Sequence, residues 1–177
     1  MSLVELMTVV VILAVALLAL VGSLWFASRL IRQSGEVNIA KNAVRGIIES
    51  MRMYDTDCIY AYYNSDPGDD PNGYGTAPGN GFSVKGLDPQ AGDDDGFVGK
   101  IEFPEVLFGG RMVLSEIVAE AELGMPRDLN GDNDAADVDV SGDYRLLPVT
   151  VRVQWKSYRP QEIRMQTFIA ERYEASQ

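Results

Sequence analysis

The first 28 residues, MSLVELMTVVVILAVALLALVGSLWFAS, contain one charged side chain, Glu5. Leu6 to Ser28 is a run of 23 residues without Asp, Glu, Lys or Arg. As a helix it would extend about 35 Å at ~1.5 Å per residue, enough to cross a hydrocarbon core of ~30 Å. This segment constrains everything else, because a small domain cannot cover it and it must meet lipid or other apolar helices. A cleavable secretory signal needs a basic leader, and no basic residue precedes the run. A plain signal anchor fits by length. Yet Arg29 and Arg32 follow the run, and the positive-inside rule applied to this chain alone would hold the remainder in the cytoplasm. A basic leader once preceding Met1, and since removed, would resolve that conflict.

Glu5 adds a second constraint. A carboxylate at the centre of a membrane helix costs roughly 2.5–3.5 kcal/mol on insertion scales, less near the interface, so such groups usually have a partner. The nearest conceivable cation is an α-amino group. With Met1 as a newly exposed N-terminus, Glu5 of one copy could neutralise the terminus of the next as helices stagger by about a turn.

These residues, Ser2-Leu3-Val4-Glu5-Leu6-Met7 followed by Thr8-Val9-Val10-Val11-Ile12-Leu13, resemble the start of mature type IV pilins and of type II secretion pseudopilins. The resemblance covers about the first 25 residues. It implies a precursor leader cut by a prepilin peptidase, methylation of Met1, and a role for Glu5 in recruiting subunits at an inner-membrane assembly platform. It also implies storage among membrane lipids, then a helical polymer of identical or related subunits, as a cell-surface filament or a periplasmic pseudopilus. Two departures stand out: Gly22 occupies the region where many pilins carry proline, and the frequent C-terminal cysteine pair is absent. Gly22-Ser23 is a reasonable weak point in the helix.

Beyond residue 28 the pattern becomes amphipathic. Val37, Ala40, Val44, Ile47, Ile48 and Met51 recur at helical spacing, with Arg45, Glu49 and Arg52 off that stripe. The expectation is one helix running to about Tyr54, roughly 80 Å long at ~1.5 Å per residue. The chain thus divides into an apolar helical segment (1–28), an amphipathic continuation (29–54) and an acidic globular part (55–177).

Residues 55–99 read as loop, dense in turn formers such as Asp66-Pro67-Gly68-Asp69-Asp70-Pro71-Asn72-Gly73. Tyr60, Tyr62, Tyr63, Tyr74 and Phe82 argue that something there is buried. RLLPVTVRVQW (145–155) alternates Val149, Val151, Val153 and Trp155 against Thr150, Arg152 and Gln154, the mark of a half-buried strand. After a turn at 156–160, residues 162–172 return as a second strand. An earlier strand is expected at 100–103, and 111–123 is ambiguous between strand and short helix. The fold class is therefore α+β: a long N-terminal helix packed on a small antiparallel sheet. That is also the pilin architecture.

The charge pattern narrows function. The chain carries a formal charge of −11, and residues 55–139 hold 19 acids against 4 bases. Nucleic acid, which favours Lys/Arg-rich surfaces, is excluded as an expected partner. There is no histidine, which removes Ser-His-Asp and Cys-His machinery and the commonest zinc ligand. Cys58, the single cysteine, reads as a small buried hydrophobe. No catalytic residue is expected.

One loop carries candidate metal chemistry. Asp128, Asn130, Asp132, Asp134, Asp137 and Asp139 place oxygen side chains at positions 1, 3, 5, 7, 10 and 12 of a turn-rich stretch. Calcium takes six to eight oxygen ligands, and EF-hand loops use positions 1, 3 and 5 this way. Here position 6 is Asn133 and position 12 is Asp139, where an EF-hand has Gly and Glu, and no flanking helix pair is evident. A lone calcium loop between strands is one reading; a solvated acidic turn is the other. Some pseudopilins bind calcium in a corresponding late loop. Beside the filament subunit stands a second class of function, a membrane-anchored, calcium-stabilised binding domain that never polymerises.

Overall fold

A computed structural model describes residues 2–93 and 95–171. Met1, one of the two residues assigned an assembly role, and Arg172, at the end of the expected last strand, lie outside the described residues. The chain divides into two compact units, Met1–Asn38 and Ile39–Gln177. Helix α1 (Leu3–Met51) forms the first unit and supplies residues 39–51 to the second.

Within the first unit the helix is continuous through Gly22 and Ser23. Its large apolar side chains are exposed on every side. Its few polar side chains close on the helix itself: Thr8 donates to the Val4 carbonyl, Ser23 to Leu20 and Ser28 to Leu24. Such back-bonding satisfies hydroxyls where no water is at hand.

The second unit builds its core on the other end of α1. Ala40, Val44, Ile48 and Met51 are buried, spaced by three or four residues as one face of a helix requires. They pack on a four-stranded antiparallel sheet in the order β1-β2-β5-β6: β1 (Gly81–Phe82), β2 (Gly99–Glu102), β5 (Leu146–Trp155) and β6 (Gln161–Ala170). A separate hairpin joins β3 (Glu105–Phe108) to β4 (Arg111–Leu114). The α+β architecture expected from the sequence is present.

The central strand shows why the alternation was readable. Val149, Val151, Val153 and Trp155 are almost fully buried, and their partners on β6 are Thr167, Met165, Ile163 and Gln161. Pro148 is tolerated because β2 ends opposite Thr150, so at residue 148 the strand has a neighbour on one side only. On the other face, the register aligns Lys100, Arg152 and Arg164 across three strands. Like charges in a row are unfavourable, and acids offset them. Glu102 lies 2.8 Å from Arg152, while Glu120 and Glu122 lie 2.8 and 3.2 Å from Arg164. The last pair ties the short 3-10 turn η1 (Ala121–Leu123) to β6.

Two expectations of secondary structure change, and two of burial. The helix α1 ends at Met51 rather than about Tyr54; tighter three-residue bonds, Met53 N–H to Ser50 and Tyr54 N–H to Met51, close it off. The stretch read as loop contains an eight-residue helix, α2 (Thr56–Tyr63), and the short strand β1. Its sequence, TDCIYAYY, is rich in aromatic and β-branched residues of modest helix propensity, so local preference did not announce it. Tertiary contact holds it: Ile59, Tyr60 and Tyr63 are buried, the Tyr60 hydroxyl donates to Glu105 at 2.9 Å, and the Tyr144 hydroxyl meets the Thr56 carbonyl. Of the other expected aromatics, Tyr62 and Phe82 are half-buried and Tyr74 is exposed, as is Cys58 in part. The neighbouring strands interlock through glycine: a Cβ on Gly99 would fall 2.2 Å from the Phe82 ring, and one on Gly81 2.6 Å from Phe97.

Candidate functional site

Two features carry the functional candidates. In the first unit, Glu5 stands in the first turn of α1, where the helix dipole favours a carboxylate. The Ser2 N–H approaches its Oε2 at 3.4 Å, and the Glu5 and Leu6 amides bond back to the Ser2 carbonyl. Behind it lies the exposed apolar helix, long and apolar enough to cross a membrane.

In the second unit, the 128–139 loop is organised by its own side chains. Asp128 accepts from the Gly131 and Asn133 amides, Asn130 from Asp132, Asp132 from Asp134, and Asp134 from Ala136. Each acid or amide caps the backbone just ahead of it, the usual behaviour of Asx residues in turns. The Gly131 bond and its neighbours hold the Asp128 carboxyl below the ordinary range, outweighing the opposing desolvation. Asn133 adopts φ +77, the left-handed conformation that asparagine tolerates.

The loop is fastened to a residue that sequence reasoning missed. Glu116, just after β4, is fully buried. Its Oε1 accepts from the Leu129 amide at 2.6 Å and from Asn130 at 3.4 Å, and its Oε2 from Asp137 at 3.4 Å. Carboxylate oxygens of Glu116, Asp134 and Asp137 lie within 4.8 Å of one another, a group that could hold a metal ion. Asn130 completes the edge of this cluster, donating from Nδ2 to Asp137 at 3.1 Å. The donors are all hard oxygens, the set that suits calcium or magnesium better than thiol- or imidazole-seeking metals. A signal for Glu116 did exist: it is the one acid inside the apolar stretch MVLSEIV.

Of the six residues named from the sequence, Asp134 and Asp137 join Glu116, and Asn130 touches Asp137. Asp128 and Asp132 spend at least one oxygen each on backbone caps. Asp139 pairs with Arg111 at 3.2 Å and accepts from the Ser141 amide. Burial pushes its carboxyl up, but Ser141 and Arg111 together hold it below the ordinary range.

A second acidic neighbourhood surrounds α2. Glu105 receives the Tyr60 hydroxyl, yet burial raises its carboxyl above the ordinary range despite that bond. Asp69 is raised mainly by burial as well; Asn64 donates to its Oδ2 at 2.7 Å, while its Oδ1 is buried without a hydrogen-bond partner among the described residues. The Tyr144 hydroxyl is pushed up to about 12 by burial.

Comparison with family models, curated proteins and solved structures returns no match. What the structure defines is architectural alone: a long apolar N-terminal helix on an antiparallel sheet, a pilin-like arrangement.

Proposed function

We propose that the chain is a structural subunit of a type IV pilus-like filament, held in the inner membrane before assembly and polymerised through α1. The observation that carries this reading is the first unit itself. A helix exposed and apolar on all sides, with one carboxylate in its first turn, suits a bundle of copies as well as a bilayer. Heterologous contacts between such copies propagate helically without closing. Glu5 would neutralise the N-terminus of an adjacent copy, and a basic leader would precede Met1 in the precursor, with methylation at Met1 after cleavage. A pseudopilin or minor pilin of a type II secretion system is the same reading with a periplasmic destination. In none of these roles does the chain act as an enzyme.

The test is Glu5→Ala in the full chain. Membrane insertion should persist while incorporation into filaments is lost or severely reduced; unchanged filaments would sink the recruitment role. Mass spectrometry of the mature N-terminus should find cleavage before Met1 and an added methyl group.

The oxygen cluster supports calcium as a stabiliser of the second unit, in either the polymerising reading or the non-polymerising anchored one. Glu116, Asp134 and Asp137 would hold the ion, which would supply positive charge to a loop of mutually repelling acids. Glu116 is buried and held by the Leu129 amide, Asp137 is half-buried beside Asn130, and Asp134 is exposed and caps the Ala136 amide.

A further inference from the structure

The end of the apolar run carries a feature that the proposed recruitment through Glu5 does not call on. Trp25 is 69% exposed, and the Arg29 guanidinium lies 4.9 Å from the centre of its ring. Arg32 follows on the same helical face, its Nε 3.2 Å from Glu36. Residues 25, 29 and 32 are spaced by four and three, so they form one stripe along the first unit's helix. Tryptophan favours the headgroup level of a bilayer, and arginine there keeps its charge in the polar layer while its stem lies along apolar surface. Stacking uses the flat face of a guanidinium, whereas phosphate oxygens bind at its N–H edge, so one arginine can make both contacts at once.

We infer that Trp25, Arg29 and Arg32 form a binding site for the phosphate of anionic phospholipid headgroups, at the leaflet where α1 leaves the bilayer. The site rests on the membrane-stored state proposed above. Glu5 and Arg29 are 24 residues apart, about 36 Å of helix at ~1.5 Å per residue. With the hydrocarbon core about 30 Å thick, one end of the run then presents an acid and the other a pair of bases at headgroup depth. Charge complementarity selects lipid: the first two charges after the apolar run are both cations, Glu36 offsets only one of them, and an anionic surface attracts such a residue enough for about fivefold local enrichment. The expected consequence is an enrichment of anionic lipid along this face of α1, which filament assembly must strip away.

The experiment uses the full chain in vesicles mixing phosphatidylcholine and phosphatidylglycerol, with bromine on the acyl chains of one lipid or the other. Bromine quenches tryptophan on contact. The chain has two tryptophans, Trp25 and Trp155, so the Trp25→Phe variant supplies the Trp155 background to subtract. At equal mole fraction, brominated phosphatidylglycerol should quench Trp25 at least about twofold more than brominated phosphatidylcholine. High salt should shrink that preference. Arg29→Gln with Arg32→Gln should abolish it while leaving total quenching in place. Equal quenching by the two lipids in the native chain would overturn the site, as would a preference that survives in the double variant. No quenching by either lipid would place Trp25 outside the bilayer, and the membrane-stored state would fall with the site.

Discussion

Two acidic neighbourhoods of the second unit look alike on paper and are built in opposite ways. The 128–139 loop turns its acids toward backbone N–H groups, and the carboxyls of Asp128 and Asp139 sit below the ordinary range. Around α2, Glu105 and Asp69 are raised, chiefly because burial penalises their charged forms. Acid count therefore says little about what a carboxylate contributes. Its donors decide: peptide amides stabilise the ionised form, whereas a desolvated site with one or two partners favours the proton.

The largest effect expected from this contrast is at Glu116. Replacing it with alanine leaves the Leu129, Asn130 and Asp137 amides without their acceptor and opens a buried gap. Glu116→Ala should lose about 2–4 kcal/mol of unfolding free energy, read by denaturant titration of the detergent-solubilised chain. A loss near zero would mean that the loop is not fastened through this residue. Calcium comes next. Titration should raise the melting temperature of the native chain, and Asp134→Asn with Asp137→Asn should remove most of that rise. If calorimetry finds no calcium heat and the melting temperature stays put, the loop is a solvated turn.

The pH profile separates the two neighbourhoods. For Glu105 and Asp69 the native state binds protons more tightly than the unfolded chain, so stability should rise as pH falls from neutral through their raised values. Below about pH 4, in the ordinary carboxylate range, the unfolded chain takes up protons that Asp128 and Asp139 resist in the native state. Stability should then fall, leaving a maximum at mildly acidic pH. Glu105→Gln should flatten the upper limb and slightly stabilise the chain at pH 7; a destabilised variant would show that the Tyr60 bond outweighs the burial. The smallest effect is expected of Asp128→Asn, which should soften only the acid limb, seen as a shift of its midpoint toward the unmodified carboxylate range.

Much of the fold was legible because its signals are local. The charge-free run predicts α1 by itself, and the alternation of Val149, Val151, Val153 and Trp155 marks β5 because a strand shows one face to the core at every second residue. The 128–139 loop was visible for the same reason, as its Asp and Asn side chains accept from amides a few residues ahead. Helix α2 was not, since TDCIYAYY forms a helix only where Tyr144 and Glu105 meet it from 45 and more residues away.

The sequence alone determined that this chain has a segment no small domain can cover, that one carboxylate leads it, and that a helix and an antiparallel pair of strands follow, because hydrophobic period and charge are properties of neighbours along the chain. Only the tertiary structure decided that Glu116 belongs to the acidic loop and that Asp139 turns to Arg111 instead. Which oxygens share a site depends on how β4 and the loop pack, and no local period encodes a contact between residues that far apart.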